Sequence, residues 1–293
     1  MKVRFGFTIG PEVGAASFGS IVDDLERLGF DSLWVPEVLL QPTLDPIVAL
    51  GVAAGRTRKL KLGTHLILPG RHPVHLARQL AHLDHLSDGR LLLLGVLGIP
   101  DEADAGVQGV ERSRRGAAID EMVPLLRRLW AGETVDHDGE FWSFRGATVR
   151  PQPVQEPLEM WLAGQVPGAL RRCARMGDGW MPGLVAPSRA GELRHALEEE
   201  AAAQGRTMDP EHYGANLFYA REPLSAEAVA QLEARRGPDM AAMVPIGADG
   251  LRERVDEWLS EGFSKFLLRP MEPPADWNEE LEFLADEILP LTV

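Results

Sequence analysis

Two histidines lie where an apolar run gives way to a turn. His65 falls in Gly63-Thr64-His65-Leu66, inside an apolar run over residues 60–68, and His72 follows Pro69 and Gly70. An imidazole at a strand end can move a proton near neutral pH. Taken alone, His65 reads as a plain strand end with a solvent-facing ring. Glu37 stands directly after Pro36, and Asp101, Glu102 and Asp104 cluster in a polar stretch over 97–111. His75, His82 and His85 share a helix face with Arg78 at spacings of three, four and seven. Such a face could hold a metal, but Leu76, Leu80 and Leu83 occupy the opposite side, so the simpler reading is the polar outer stripe of an amphipathic helix. The first strand is followed by Gly10-Pro11-Glu12, not by the His-x-His of a metal-dependent hydrolase barrel. No Gly-Lys-Ser or Gly-Lys-Thr of a phosphate-binding loop occurs.

The elements that must carry these groups alternate. Residues 60–68 form an apolar run, 73–87 a helical pattern stopped by Ser87-Asp88-Gly89, and 91–96 a second apolar run. The runs are continuous, as expected of strands buried on both faces in a parallel sheet. Further strand patterns fall at 3–9, 32–35, 160–163, 180–181, 216–220 and 263–269, giving eight in all, with helical patterns between them. Asp45-Pro46 reads as a helix start. Residues 131–158 interrupt the rhythm with a hairpin signal at Asp138-Gly139 and a Pro-rich tail. We expect a single-domain α/β (β/α)8 barrel over 1–293, with an insertion at about 131–158. A doubly wound open sheet would announce a Gly-x-Gly-x-x-Gly turn after its first strand, which here reads TIGPEVG.

Composition narrows the partners. A formal charge of −14 argues against nucleic acid or an anionic membrane surface. No uninterrupted apolar run reaches the ~18 residues of a membrane helix. The start reads directly into a strand pattern, and the single Cys173 suits a reducing compartment, so the expectation is a cytoplasmic protein acting on a small molecule.

LGTHLILPGRHPVHLAR followed by LDHLSDGRLLLLGV, with LGFDSLWVPE, CARMGDGWMP and FLLRP in the same order along the chain, resembles the luciferase-like flavin-dependent oxidoreductases. The likeness is greatest to the branch that uses the deazaflavin coenzyme F420. The resemblance implies a homodimer and a redox ring held in the barrel mouth. It implies cofactor contacts at Thr64, His65 and Leu66, with a non-prolyl cis bond between His65 and Leu66 forming a bulge behind the ring. Leu97 and Gly98 would line the fourth strand's turn. Gly164, Gln165, Gly179, Trp180 and Met181 would hold the cofactor phosphate, where helix N-terminal N–H groups favour an anion.

The chain departs from that pattern at two places. F420-using relatives commonly read Ser-Asp-His after the second strand, where this chain has Pro36-Glu37-Val38. The fourth turn, Gly95-Val96-Leu97-Gly98-Ile99-Pro100, carries Leu97 and Ile99, which would narrow the pocket. The candidate catalytic residues are therefore Glu37 and His65, with His72 or water as substitutes. Glu37 is either a general acid with a raised pKa or a structural carboxylate bonded to loop N–H groups. The activity implied is hydride transfer between reduced F420 and a small organic substrate. The alternatives are an FMN-dependent monooxygenase fed with reduced flavin, and a barrel that binds flavin or another ligand without catalysis.

Overall fold

The computed structural model describes residues 2–98, 106–236, 238 and 240–292. Asp101, Glu102, Asp104, Ile99 and Pro100 lie outside them. In chain order the elements are β1 (Arg4–Thr8), α1 (Ala15–Leu28), β2 (Ser32–Pro36), α2 (Pro46–Arg56), β3 (Lys61–Ile67), α3 (Pro73–Ser87), β4 (Leu91–Val96), α4 (Arg115–Trp130), β5 (Val135–Asp138), β6 (Ser143–Ala147), β7 (Met160–Ala163), α5 (Pro167–Met176), β8 (Gly179–Met181), α6 (Pro187–Ala203), β9 (Gly214–Tyr219), α7 (Ala226–Arg236), α8 (Gly247–Ser260), β10 (Lys265–Pro270) and α9 (Trp277–Glu287). No described helix is long and apolar enough to cross a membrane.

Eight strands pair in parallel in the order β8-β7-β4-β3-β2-β1-β10-β9. A parallel bridge between Trp180 and Tyr213 joins the two ends, so the sheet curls into a barrel as expected from the alternating pattern. The antiparallel pair β5–β6 lies between α4 and β7, where the hairpin signal placed it. Glu121 on α4 fastens this hairpin by accepting the N–H groups of Glu140, Phe141 and Trp142 at 2.9–3.1 Å and by pairing with His137 at 2.8 Å.

Side-chain parity sorts two cores. Phe5, Phe7, Leu62, Leu66, Leu93 and Phe266 belong to the large apolar layer between strands and helices. Trp34, Leu94, Trp161, Met181 and Leu267, from five different strands, fill the barrel interior. The two indoles fit because glycines face them. A Cβ at position 63 would lie 2.3 Å from the Trp34 ring, and one at 179 would lie 2.3 Å from Trp161. Below this layer, at the N-terminal end of the strands, Asp31 accepts from Lys265 at 2.7 Å and Lys61 at 3.1 Å. Burial alone would raise the Asp31 carboxyl, but the two ammonium groups, Lys265 foremost, hold it well below the usual carboxylate range.

This packing predicts that Gly63→Ala destabilises the fold by about 2 kcal/mol, since an added methyl must displace a buried indole. The same substitution made in a Trp34→Leu background will cost much less. Urea midpoints of the four proteins test the coupling.

Candidate functional site

All eight strands are parallel, so their C-terminal ends share one rim. The inward-facing positions nearest that rim include Thr8 on β1, His65 on β3, Asn216 on β9 and Arg269 on β10. They continue the parity of Gly6, Gly63, Gly214 and Leu267. These four form a polar layer above the two tryptophans.

The His65 ring packs on Trp34, with centroids 5.3 Å apart. Its Nε2 is buried without a hydrogen-bond partner among the described residues, and so is the Thr8 hydroxyl. Burial, aided by the Arg269 charge, pushes the His65 pKa down to about 4, so the ring is neutral at physiological pH. Arg269 pairs with Glu12 at 3.5 Å and faces the Phe218 ring, with 5.6 Å from guanidinium carbon to ring centroid. The pair lies across Gly10, where a Cβ would stand 2.1 Å from the guanidinium.

The expected cis bond is absent. Among the described residues the cis bonds are Arg150–Pro151 and Glu156–Pro157, so His65–Leu66 is trans. The cause is visible in the backbone. β3 stays in register with β4 through Leu66↔Gly95 and Ile67↔Val96. The Glu37 N–H donates to His65 O at 2.9 Å. With both edges of the strand committed, nothing enforces a bulge that costs ~3 kcal/mol.

Glu37 is a clamp. Its Oε2 accepts the Ile67 N–H at 2.8 Å and its Oε1 pairs with Arg71, whose Nε donates back to Ile67 O at 3.1 Å. Burial raises its pKa, opposed by Arg71 and the Ile67 N–H. Both carboxylate oxygens are thus engaged in holding the end of β3 to the turn that follows, which is the structural role weighed above. His72 is the N-cap of α3 and accepts the Val74 N–H at 3.3 Å. His82 and His85 meet the carbonyls of Arg78 and Gln152 on the outer face.

Parity also corrects several cofactor contacts. Thr64 and Leu66 are fully buried in the phase of Leu62, towards the helices, so their side chains do not reach the mouth. Gly179 faces the barrel interior only to make room for Trp161. Trp180 points outward and donates its indole N–H to Gly164 O at 2.9 Å, bracing that turn. Met181 does face inward, in the layer of Trp34. Gly164 adopts φ +127°, open to glycine alone, and a Cβ there would meet Ala169 at 2.7 Å. Gln165 is exposed beside the start of α5. Leu97 and Gly98 leave β4 with Gly98 at φ +86°, and the Leu97 carbonyl accepts from Arg115 at 3.4 Å. His65, Leu97, Gly98, Gly164, Gln165 and Met181 therefore fall on one arc of the rim, β3–β4–β7–β8.

A cleft of about 410 Å³ opens over β9, β10, β1 and β2 and reaches the loop after β8 at Gly183, Leu184 and Val185. Val38, Asn216, Arg269, Leu184, Met243 and Trp258 are among its walls. Asn216, Arg269 and this cleft were not among the expected contacts. The strand-end rule alone points to Arg269.

The sequence model of the luciferase-like monooxygenase family matches residues 3–290. An F420-dependent glucose-6-phosphate dehydrogenase of Beutenbergia cavernae is 29% identical over 90% of this chain and 90% of its own. The coenzyme F420-dependent tetrahydromethanopterin reductase of Methanopyrus kandleri superposes with a TM-score of 0.82 at 17% identity, covering 100% of both chains. The oxygenating constituent of 3,6-diketocamphane monooxygenase from Pseudomonas putida, in complex with FMN, superposes with a TM-score of 0.80 at 16% identity, covering 100% of this chain and 99% of its own.

Two outcomes follow from the geometry. Glu37→Gln should lower stability by about 1–3 kcal/mol with no substrate present, because it breaks a buried charged clamp; unchanged stability with lost turnover would restore the general-acid role. His65 has a folded pKa below its unfolded value, so the unfolded chain binds more protons between pH 6.5 and about 4. Stability therefore falls as pH drops through that window, and His65→Gln should remove on the order of 2 kcal/mol of the loss between pH 7 and 4.5. Urea unfolding at the two pH values measures it.

Proposed function

Because the chain belongs to the luciferase-like monooxygenase family, we propose that it is an oxidoreductase that transfers a hydride between reduced coenzyme F420 and a small organic substrate at the barrel rim. The observation that carries the reading is the polar layer itself. Two buried polar atoms, His65 Nε2 and Thr8 Oγ1, lack partners among the described residues and face a mouth that also holds Asn216 and the Arg269–Glu12 pair. A buried polar group left unpaired costs ~1–3 kcal/mol, so a ligand that satisfies it is favoured.

The residues suit a flat redox cofactor on the β3–β4–β7–β8 arc. The floor is apolar and aromatic, from Trp34, Leu94 and Met181. The Gly164 turn and the exposed start of α5 give backbone room and N–H groups for a phosphate. When bound, such a cofactor supplies the hydride chemistry. The chain supplies position and charge. In its Nε2–H tautomer, neutral His65 would be placed to donate a hydrogen bond to a ligand atom that carries negative charge, with the Thr8 hydroxyl two strands away on β1 as a second polar contact. Glu37 keeps β3 in place through Arg71 and Ile67, acting as a positioning residue.

An FMN-dependent monooxygenase is the second reading, favoured by Val38, which lines the cleft where F420-using relatives commonly carry His. The reading includes a homodimer, since Val48 and Val52 on α2 and Leu86 on α3 expose apolar side chains, and a cytoplasmic location.

Titration of the purified protein with each cofactor, read by fluorescence, decides between them. Saturable micromolar binding of F420, weakened at least tenfold in His65→Ala, is the expected result. Tight FMN binding with none of F420 would transfer the assignment to the monooxygenase. Failure of both would leave a barrel without this activity.

A further inference from the structure

A second cavity lies on the outside of the barrel. It is a groove of about 500 Å³ between α3 and the segment that leaves β6 for β7. Val74, His75, Arg78 and Gln79 form the helix wall, since spacings of one, four and five residues put them on one side of α3. Leu76, Ala77 and Leu80 face the other way and are buried in the strand–helix core. Thr148, Val149 and Arg150 form the second wall. The backbone that carries them is fastened. Val149 is 2% exposed, and farther along the His85 ring meets Gln152 O at 2.6 Å. Gln155 donates to Asp84 through its N–H at 2.9 Å and its side-chain amide at 2.7 Å. The two walls are therefore set by the fold.

No Asp or Glu lines this groove. Among the described residues neither Arg78 nor Arg150 pairs with a carboxylate. That is unusual in a chain of net charge −14, where acids are plentiful. Nearby arginines are committed: Arg71 to Glu37, Arg127 to Asp178 and Arg128 to Glu133. Beside the groove the His72 and His75 rings lie 5.0 Å apart, and burial, with the His75 charge second, lowers the His72 pKa. The local field thus disfavours a further cation and favours an anion.

The size and exposure of the groove limit what that anion can be. Its charged groups are open to water, where a single exposed ion pair contributes little. A ligand must therefore engage both guanidinium groups at once, and planar guanidinium suits paired oxyanion contacts. Gln79 and Thr148 add neutral donors. No aromatic ring other than His75 lines the walls, so a nucleobase has no stacking platform.

We propose that this groove binds a small multivalent oxyanion, carrying two or three phosphate or carboxylate groups, at a site apart from the rim. Bound there, the anion ties the 148–150 segment to the first two turns of α3. That helix follows directly on Arg71, which with Glu37 holds the end of β3. The ligand stabilises the rim from outside and touches neither substrate nor cofactor.

The test uses the full chain without added cofactor. Inorganic pyrophosphate and citrate are titrated by calorimetry, with acetate at equal ionic strength as the monovalent control. At least one of the two polyanions should saturate one site per chain, with acetate roughly a hundredfold weaker. The tighter of the two separates a phosphate from a carboxylate ligand. Arg78→Gln and Arg150→Gln, both at exposed positions, should each weaken binding roughly tenfold or more. Arg189→Gln, an exposed arginine on α6, should leave it unchanged. Absence of saturable binding by both polyanions, acetate binding as tightly, affinity unchanged in both groove variants, or an equal loss in Arg189→Gln would each overturn the assignment.

Discussion

Two indole rings set how far anything can enter this barrel. Trp34 and Trp161 project inward from β2 and β7, and glycines on neighbouring strands give them room: Gly63 beneath Trp34, Gly179 against Trp161, and Gly214 with its would-be Cβ 3.2 Å from the same ring. Interiors of this kind are packed solid rather than hollow. With Leu94, Met181 and Leu267 filling the remainder, ligand chemistry is confined to the one layer of side chains above them. Every functional statement about the rim depends on this plug. The His65 ring packs on its Trp34 face, with centroids 5.3 Å apart.

The plug also separates two charged layers. Below it Lys265 is buried and lies 5.8 Å from the Trp34 ring while pairing with Asp31. Burial pushes its pKa down to about 8, against the pull of that carboxylate. Above it Arg269 is paired with Glu12 and lowers the His65 pKa. A neutral imidazole is the form this setting stabilises, because burial and the nearby Arg269 charge both disfavour a proton on His65.

The alternation of strands and helices was legible because each parallel strand is a continuous apolar run and each helix carries a 3.6-residue stripe. That same continuity hides parity. A strand apolar on both faces gives no alternating pattern from which to tell inside from outside, so Thr64 and His65 looked equally placed at the mouth although the pleat sends them in opposite directions. Gly179 and Trp180 divide in the same way. The first makes space for a ring two strand positions from Gly177's turn, and the second braces Gly164 from behind. Glu37 was recognisable as a strand-end carboxylate, but its partner Arg71 is 34 residues away and meets it only once β2 and β3 pair. Arg269 stands at the end of a strand, where barrels of this kind carry function. Nothing in the sequence tied it to Glu12 and Gly10.

The position after Glu37 now has a physical meaning. An imidazole there would place a proton donor on the wall of the cleft, beside Leu184 and Gln41. Val38 instead continues the apolar lining. Among the described residues the polar groups at the floor include His65, whose ring packs on Trp34. On the proposed reading, a donor set on the floor requires that the reacting atom come down to it, and binding energy from the unreactive part of a molecule is then spent on placing the reactive end.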